Sequence, residues 1–539
     1  MPATSARGQT DSPHGPVPGS SADGARAGVP SDREPLVAAA AQVIGGPLGR
    51  FARVRRERWG GTGPRRGLWV PAARPAAAVL AFAAAAMVAL GMVQKSYCAT
   101  HGWGGTEVFW RACYSDLPRM YVTSGLITNA LPYADPPMSI NQPAGTGLVL
   151  WVLAHLVPTT AQEATWFVAA WAILAAALAA GLAVATVRTM RRDPWRAAQV
   201  ALCPLLITVV LVGPDLLGIL LVSIGLLWWA RDKMIYAGLA LGLAMSARSY
   251  AVLVVIVLVL IAARAGVLRD AARMAGVALL TWLAVVGGVG LVTGPAVLTA
   301  YQTWLGSGAE YGAPVFLLNL MGVQLPLGAL TAFAIAGWIV AVLGAAALTL
   351  LPAHRPRVGE VLVVVMVLVL LTGKAIPVQA TLLLAPLLVL AVVPWRDVVL
   401  WWAAEVLYFV AVWLYLGGLS EPTRALPAPW YALFLVLRVA IMAYLAFGII
   451  RRIIARPAAL PPEEQVLGET PFSEEPFEDD SAAMQEVTGE EADALALDPD
   501  LSPAQQRDQA DLAISARRDP DDAAGPAAGR PDALVVTFG

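Results

Sequence analysis

Charge is the scarcest ingredient of this 539-residue chain. Only 14% of its residues are Asp, Glu, Lys or Arg, against 58% hydrophobic, and the mean hydropathy is +0.65. An average soluble domain carries about 25% charged residues. The shortage deepens in the middle. Residues 1–74 hold 11 Arg and 5 acids, and residues 457–539 hold 20 acids and 4 Arg, which leaves 35 charges for the 382 residues from Pro75 to Arg456. Soluble cores stop growing near about 250–300 residues, so this body cannot hide its apolar surface in water. A soluble enzyme, a nucleic-acid-binding protein and a secreted disulfide scaffold are excluded for it. Cys is also scarce, at 3, and His, at 4. There is no Walker-type phosphate loop, no HExxH and no Cys/His metal spacing. ATP-driven transport and zinc hydrolysis are therefore unsupported, and neither a metal nor a cofactor is expected.

What the chain does contain is apolar runs. A spanning helix needs about 20 apolar residues. Candidate spans fall near 75–94, 164–187, 198–213, 215–230, 234–247, 250–264, 274–293, 327–351, 358–373, 378–394, 398–417 and 429–450. Several are short enough to be tilted, buried or merged. With the N-terminus inside, the inner connections are Arg188–Arg196, Arg231–Lys233, Arg264–Arg273, His354–Arg357, Trp395–Asp397 and Arg451–Arg456. All six carry Arg or Lys, as the positive-inside rule requires. The cluster Arg53, Arg55, Arg56, Arg58, Arg65, Arg66 precedes the first run and holds the N-terminus in the cytoplasm. The domain reading is a disordered basic cytoplasmic tail (1–74), a transmembrane domain (75–456) and a disordered acidic cytoplasmic tail (457–539) open to a cytoplasmic partner. No signal peptide fits the N-terminus.

Gly145–Val157 decides the register. It is apolar but only about 13 residues long, too short to span, and counting it as a span would throw Arg188–Arg196 outside. It is read as a helix lying in the outer interface or re-entrant. Residues 95–163 then form one extracytoplasmic loop, and loops of that length are usually functional. The expected fold is an all-α polytopic bundle of about twelve transmembrane helices in the plasma membrane, with both termini cytoplasmic and a large first outer loop carrying an interfacial helix. Cys98 and Cys113 both fall in that loop, on the side where disulfides persist. They form a bridge or remain two buried thiols, and the bridge is favoured; Cys203 is read as packing.

Ionisable residues near membrane depth are expensive and point to function. Asp116, Asp135, Asp215, Arg248, Glu310, Lys374 and Glu421 all fall on or near the predicted outer face. Carboxylates and cations together describe a polar site opening outward.

The run Cys113-Tyr114-Ser115-Asp116, followed by Pro132-Tyr133-Ala134-Asp135, resembles the first outer loop of glycosyltransferase family 87. These are the actinobacterial polyprenol-phosphate-mannose-dependent mannosyltransferases of the GT-C superfamily. Gly213-Pro214-Asp215-Leu216-Leu217 is similar to the family's Asn-Trp-Asp-Leu-Leu element, and Ala247-Arg248-Ser249-Tyr250 to its Lys-Leu-Tyr-Pro element. Lys374-Ala375-Ile376-Pro377-Val378-Gln379 is similar to Lys-Val-x-Ser-Pro-Gln. Pro394-Trp395-Arg396 and the run from Ala404 to Trp413 continue the likeness, which covers about residues 75–450. One departure stands out: Asn141-Gln142-Pro143 occupies the place of the family's Glu-Tyr-Pro, so Asn141 replaces a carboxylate.

The resemblance implies a membrane enzyme that moves mannose, or a related hexose, from a polyprenyl-phosphate donor to a glycolipid or glycan acceptor outside, by inverting displacement. Asp116 matches the catalytic base; the other reading is an exposed or capping Asp in a Tyr-Ser-Asp turn. Arg248 and Lys374 are read as cations for the donor phosphate, or as snorkelling side chains. Asp215 orients a cation, binds a sugar hydroxyl or closes an internal ion pair. Gln379 binds a sugar or packs helices through a polar contact, Asn141 is assigned to substrate, and Asp135 is a reserve base or a plain loop residue. Two other readings stay open: a transporter or flippase of lipid-linked sugars, and a catalytically silent scaffold for cell-envelope assembly, kept alive by the missing Glu-Tyr.

Overall fold

Runs of Ala, Leu and Val without water leave the backbone one local way to satisfy its own hydrogen bonds, the α-helix. The computed structural model describes residues 70–135, 138–190, 193–352 and 354–456, which all fall in one compact unit. The expectations for 1–69 and for 457–539 lie outside these residues. Among the described residues the elements are helical and no strand occurs.

Six helices are long and apolar enough to cross a membrane: Pro75–Gln94, Glu163–Thr189, Leu268–Gly306, Leu327–Leu350, Trp395–Gly418 and Ala428–Ala455. This is the make-up of a helical membrane protein. The remaining apolar helices are shorter: Ala144–Ala154, Leu216–Trp229, Met234–Ala247, Ala251–Ala265, Val358–Thr372 and Ala380–Leu390. Burial explains the length of some of them. Every residue from Val358 to Val367 is buried, whereas Leu268–Gly306 exposes Leu279, Leu280, Leu283 and Leu291. A helix enclosed by other helices need not match the thickness of a bilayer.

The segment 198–213 differs from its expected continuous helix. It holds two single turns, Ala198–Ala201 and Leu205–Thr208, separated at Cys203-Pro204. Proline lacks the N–H that would continue the helix, and it pushes the preceding residue out of the helical region. Beyond the second turn, the carbonyls at 210–212 are taken by side chains and backbone from elsewhere, as irregular backbone at membrane depth requires.

Close helix approach comes from small residues, the expected device where lipid gives no hydrophobic drive. Gly238 and Gly242, four residues apart on Met234–Ala247, face Leu268–Thr293. A Cβ on Gly238 would lie 2.6 Å from the Met274 carbonyl oxygen, and one on Gly242 would lie 2.6 Å from Thr281 Cβ.

Polar clamps gather at two ends of the bundle. At one end, Arg456 pairs with the buried Glu360 at 2.6 Å, Arg264 donates to the carbonyls of Thr349 and Pro352, and Gln199 donates to that of Val393. The other end carries Asp116.

Candidate functional site

Three ties fix the loop before Asp116 onto the end of the first helix. Gln94 donates its side-chain amide to the Ala112 carbonyl. Lys95 Nζ donates to the Tyr114 carbonyl at 2.7 Å. Cys98 and Cys113 are joined by a disulfide, packed with Val108, Tyr97, Trp103 and Phe109. Mass spectrometry of the unreduced protein should find the Cys98 and Cys113 peptides linked; full alkylation of both thiols would contradict this.

The loop then docks on the irregular stretch 210–212, beside Trp171 of the helix Glu163–Thr189. Trp171 Nε1 donates to Val210 at 3.2 Å, Ser115 Oγ to Leu211 at 2.6 Å, and the Asp116 amide to Val212 at 2.9 Å. Ser115 also accepts from the Leu117 amide as N-cap of the helix Asp116–Thr123. Asp116 therefore sits in the first turn of that helix, where a carboxylate is favoured. The Tyr114 hydroxyl donates to its Oδ1 at 2.9 Å. Burial, with a smaller contribution from Asp215, pushes the Asp116 carboxyl above the usual range; the Tyr114 hydrogen bond, Arg119 and Lys95 pull against that rise. A carboxyl held this way is better matched to taking a proton near neutral pH than a free surface aspartate.

Asp215 precedes the helix Leu216–Trp229 and pairs with Arg248 Nε at 2.9 Å, both side chains mostly buried. Arg248 occupies the extended break between Met234–Ala247 and Ala251–Ala265. Its Nη1 donates to Gln142 Oε1 at 2.7 Å. Gln379 closes the same cluster: a Cβ on Gly213 would lie 2.9 Å from Gln379 Nε2 and 3.1 Å from Asp215 Oδ2. Gln379 Oε1 and the Tyr250 hydroxyl are buried here with no hydrogen-bond partner, and buried polar groups of that kind point to a missing partner. A Cβ on Gly218 would sit 3.2 Å from that hydroxyl.

The other predicted residues sit apart from this cluster. Lys374 Nζ is spent on the carbonyls of Trp304, Leu305 and Ser307 at 3.0–3.1 Å, with the Trp304 ring centroid at 4.8 Å. It caps the helix Thr299–Gly306, and its own carbonyl accepts from the Glu310 amide. Asp135 is exposed in a bend, and Asn141 is exposed beside Gln142. Glu421 accepts from Thr106 at 3.1 Å. Among the described residues no group of three or more His, Cys, Asp or Glu could hold a metal ion.

Further residues join the site in the fold. Gln142, one position from Asn141, carries the contact to Arg248. Glu405 and Arg438 form a fully buried pair at 2.9 Å. Arg438 also donates to the carbonyls of Ile376 and Pro377, and Thr381 donates to Glu405 at 2.8 Å. The pair therefore holds the stretch that presents Gln379. Opposite charges inside two consecutive apolar runs were its visible signal.

The chain thus brings Asp116, Asp215, Arg248, Gln379, Gln142 and Tyr250 to one end of a helical membrane protein. Comparison with known proteins finds no matching family model, no matching curated protein and no matching solved structure.

Proposed function

We propose that this chain is a GT-C-like membrane glycosyltransferase, moving mannose or a related hexose from a polyprenyl-phosphate donor to a glycolipid or glycan acceptor at the extracytoplasmic face. The observation that carries the reading is the convergence of a partly buried carboxylate, an arginine and unsatisfied amide and hydroxyl groups from separate segments at one end of the bundle. In this reading Asp116 takes the acceptor hydroxyl proton as that oxygen attacks the anomeric carbon. The bond from that carbon to the phosphate oxygen breaks, its electron pair stays on the lipid phosphate, and the anomeric configuration inverts. Arg248 meets the phosphate with the part of its guanidinium not given to Asp215 and Gln142. The amide of Gln379 and the hydroxyl of Tyr250 suit a hydroxyl-rich sugar. Lys374 supports the site by holding the segment 299–307 rather than by touching phosphate.

The finer architecture belongs to the same proposal: about twelve crossings, counting short helices among them, with both termini in the cytoplasm. The basic clamps at the end opposite Asp116 support that orientation. A reporter fused after residue 460 should read cytoplasmic and one within 100–140 extracytoplasmic; an extracytoplasmic signal from the C-terminal fusion would put the site on the wrong face. Deletion of the gene should remove a specific hexosylated species from the lipid-linked glycan profile. An unchanged profile would favour the scaffold reading.

A further inference from the structure

Lysines at the end of a span normally reach for water. Lys95, the first residue after Pro75–Gln94, turns inward instead and is 0% exposed. Its Nζ donates to the Tyr114 carbonyl at 2.7 Å and lies 5.8 Å from the Phe409 ring centroid. Among the described residues it makes no ion pair with a carboxylate. A buried ammonium without a contacting counter-ion is costly, so something nearby must favour it. The polar groups around it belong to the Asp116 loop: Tyr114 gives it a carbonyl, while the hydroxyl of the same residue is bonded to Asp116.

We propose that Lys95 is a positioning residue for Asp116: its buried ammonium, anchored on the Tyr114 carbonyl, adds to Arg119 a second positive charge against which the Asp116 carboxylate stays ionised. Its value for sugar transfer rests on the function proposed above; the coupling between the two groups does not.

The titratable and charged groups facing the pair set the sign. Asp116 faces Tyr114, Arg119, Asp215 and Lys95. Lys95 faces Asp116. Burial pulls the Lys95 ammonium down to about 7, and Asp116 opposes the fall. Below about pH 7 Lys95 is charged and helps to keep Asp116 ionised. Above it the lysine loses its proton, at a pH where the carboxylate needs less help. The unfolded chain keeps that proton up to its ordinary value of 10.5. Between those limits the unfolded state binds more protons, so Lys95 makes the fold gain stability as pH rises.

Isotope-edited infrared titration of the full chain in nanodiscs tests the coupling without any substrate. The protonated carboxyl band of Asp116 is assigned by its loss in Asp116→Asn. In Lys95→Met its midpoint should move up, and by less than the roughly one to three pH units that a contacting cation contributes, because Lys95 is the weakest of the influences on Asp116. Lys95→Arg should keep the wild-type midpoint. An unmoved midpoint in Lys95→Met would overturn the proposal. Should Lys95→Met fail to fold, the reciprocal measurement decides: NMR titration of the nitrogen-15-labelled side-chain amine of Lys95, assigned by its loss in Lys95→Arg. Asp116→Asn should lower its midpoint further, and an unchanged midpoint would again overturn the coupling. If the coupling holds, the acidic limb of any transfer activity should follow the Asp116 midpoint upward in Lys95→Met; if transfer is absent, only the function reading falls.

Discussion

Replacing Asp116 by Asn should cut sugar transfer by about 10²–10⁴-fold, the usual contribution of a positioned base. Asn keeps the size of the side chain, can still accept from the Tyr114 hydroxyl and leaves the Val212 contact untouched, because that contact is made by the backbone amide. Expression and donor binding should therefore stay near wild type. Arg248→Ala should fail differently. Its proposed partner is the donor phosphate, so donor affinity should fall first, with Asp215 left without its cation. Initial rates with labelled donor, set beside equilibrium donor binding, separate the two defects. Wild-type transfer by Asp116→Asn would remove Asp116 from the role of base.

The second large effect lies away from the chemistry. Arg438→Met leaves Glu405 fully buried with only the Thr381 hydroxyl for company. Removing one partner of a buried pair costs about 3–5 kcal/mol. Restoring neutrality with Glu405→Met in the same chain should recover much of that loss, because replacing both partners by apolar residues is often close to neutral. Thermal unfolding of the detergent-solubilised protein reads both variants. The single variant should also loosen the Ile376–Thr381 stretch and so weaken whatever Gln379 binds. A single variant as stable as the wild type would contradict the clamp.

How much of this was legible in the sequence depends on range. Helix type and most boundaries follow from local apolar runs and flanking Arg or Pro, which is why Trp395–Gly418 and Ala428–Ala455 lie close to their expected ranges. Pro204 is visible too, but the apolar character of 198–213 masks the break it makes. Only the fold shows that the broken segment supplies the carbonyls that position Asp116. Long-range pairing was beyond reach. Nothing local says that Arg248 meets Gln142 across 106 positions rather than Asn141 next to it. Nor does anything local say that Lys374 turns to the carbonyls of 304–307 rather than to a phosphate. Lys95 ends a span, and that position ordinarily means an interfacial anchor; its inward turn depends on a loop tied down by the Cys98–Cys113 bridge.

The central claim is that the Asp116 end of the bundle takes a lipid-phosphate sugar and releases the lipid phosphate. Purified full-length protein in nanodiscs, given polyprenyl-phosphate-mannose and an envelope-lipid extract from the deletion strain, should release free polyprenyl phosphate in an acceptor-dependent way. Release should fall to background with Asp116→Asn. Release that persists in Asp116→Asn, or an intact wild-type protein that binds no donor and releases none with any hexose on the lipid phosphate, would contradict the account.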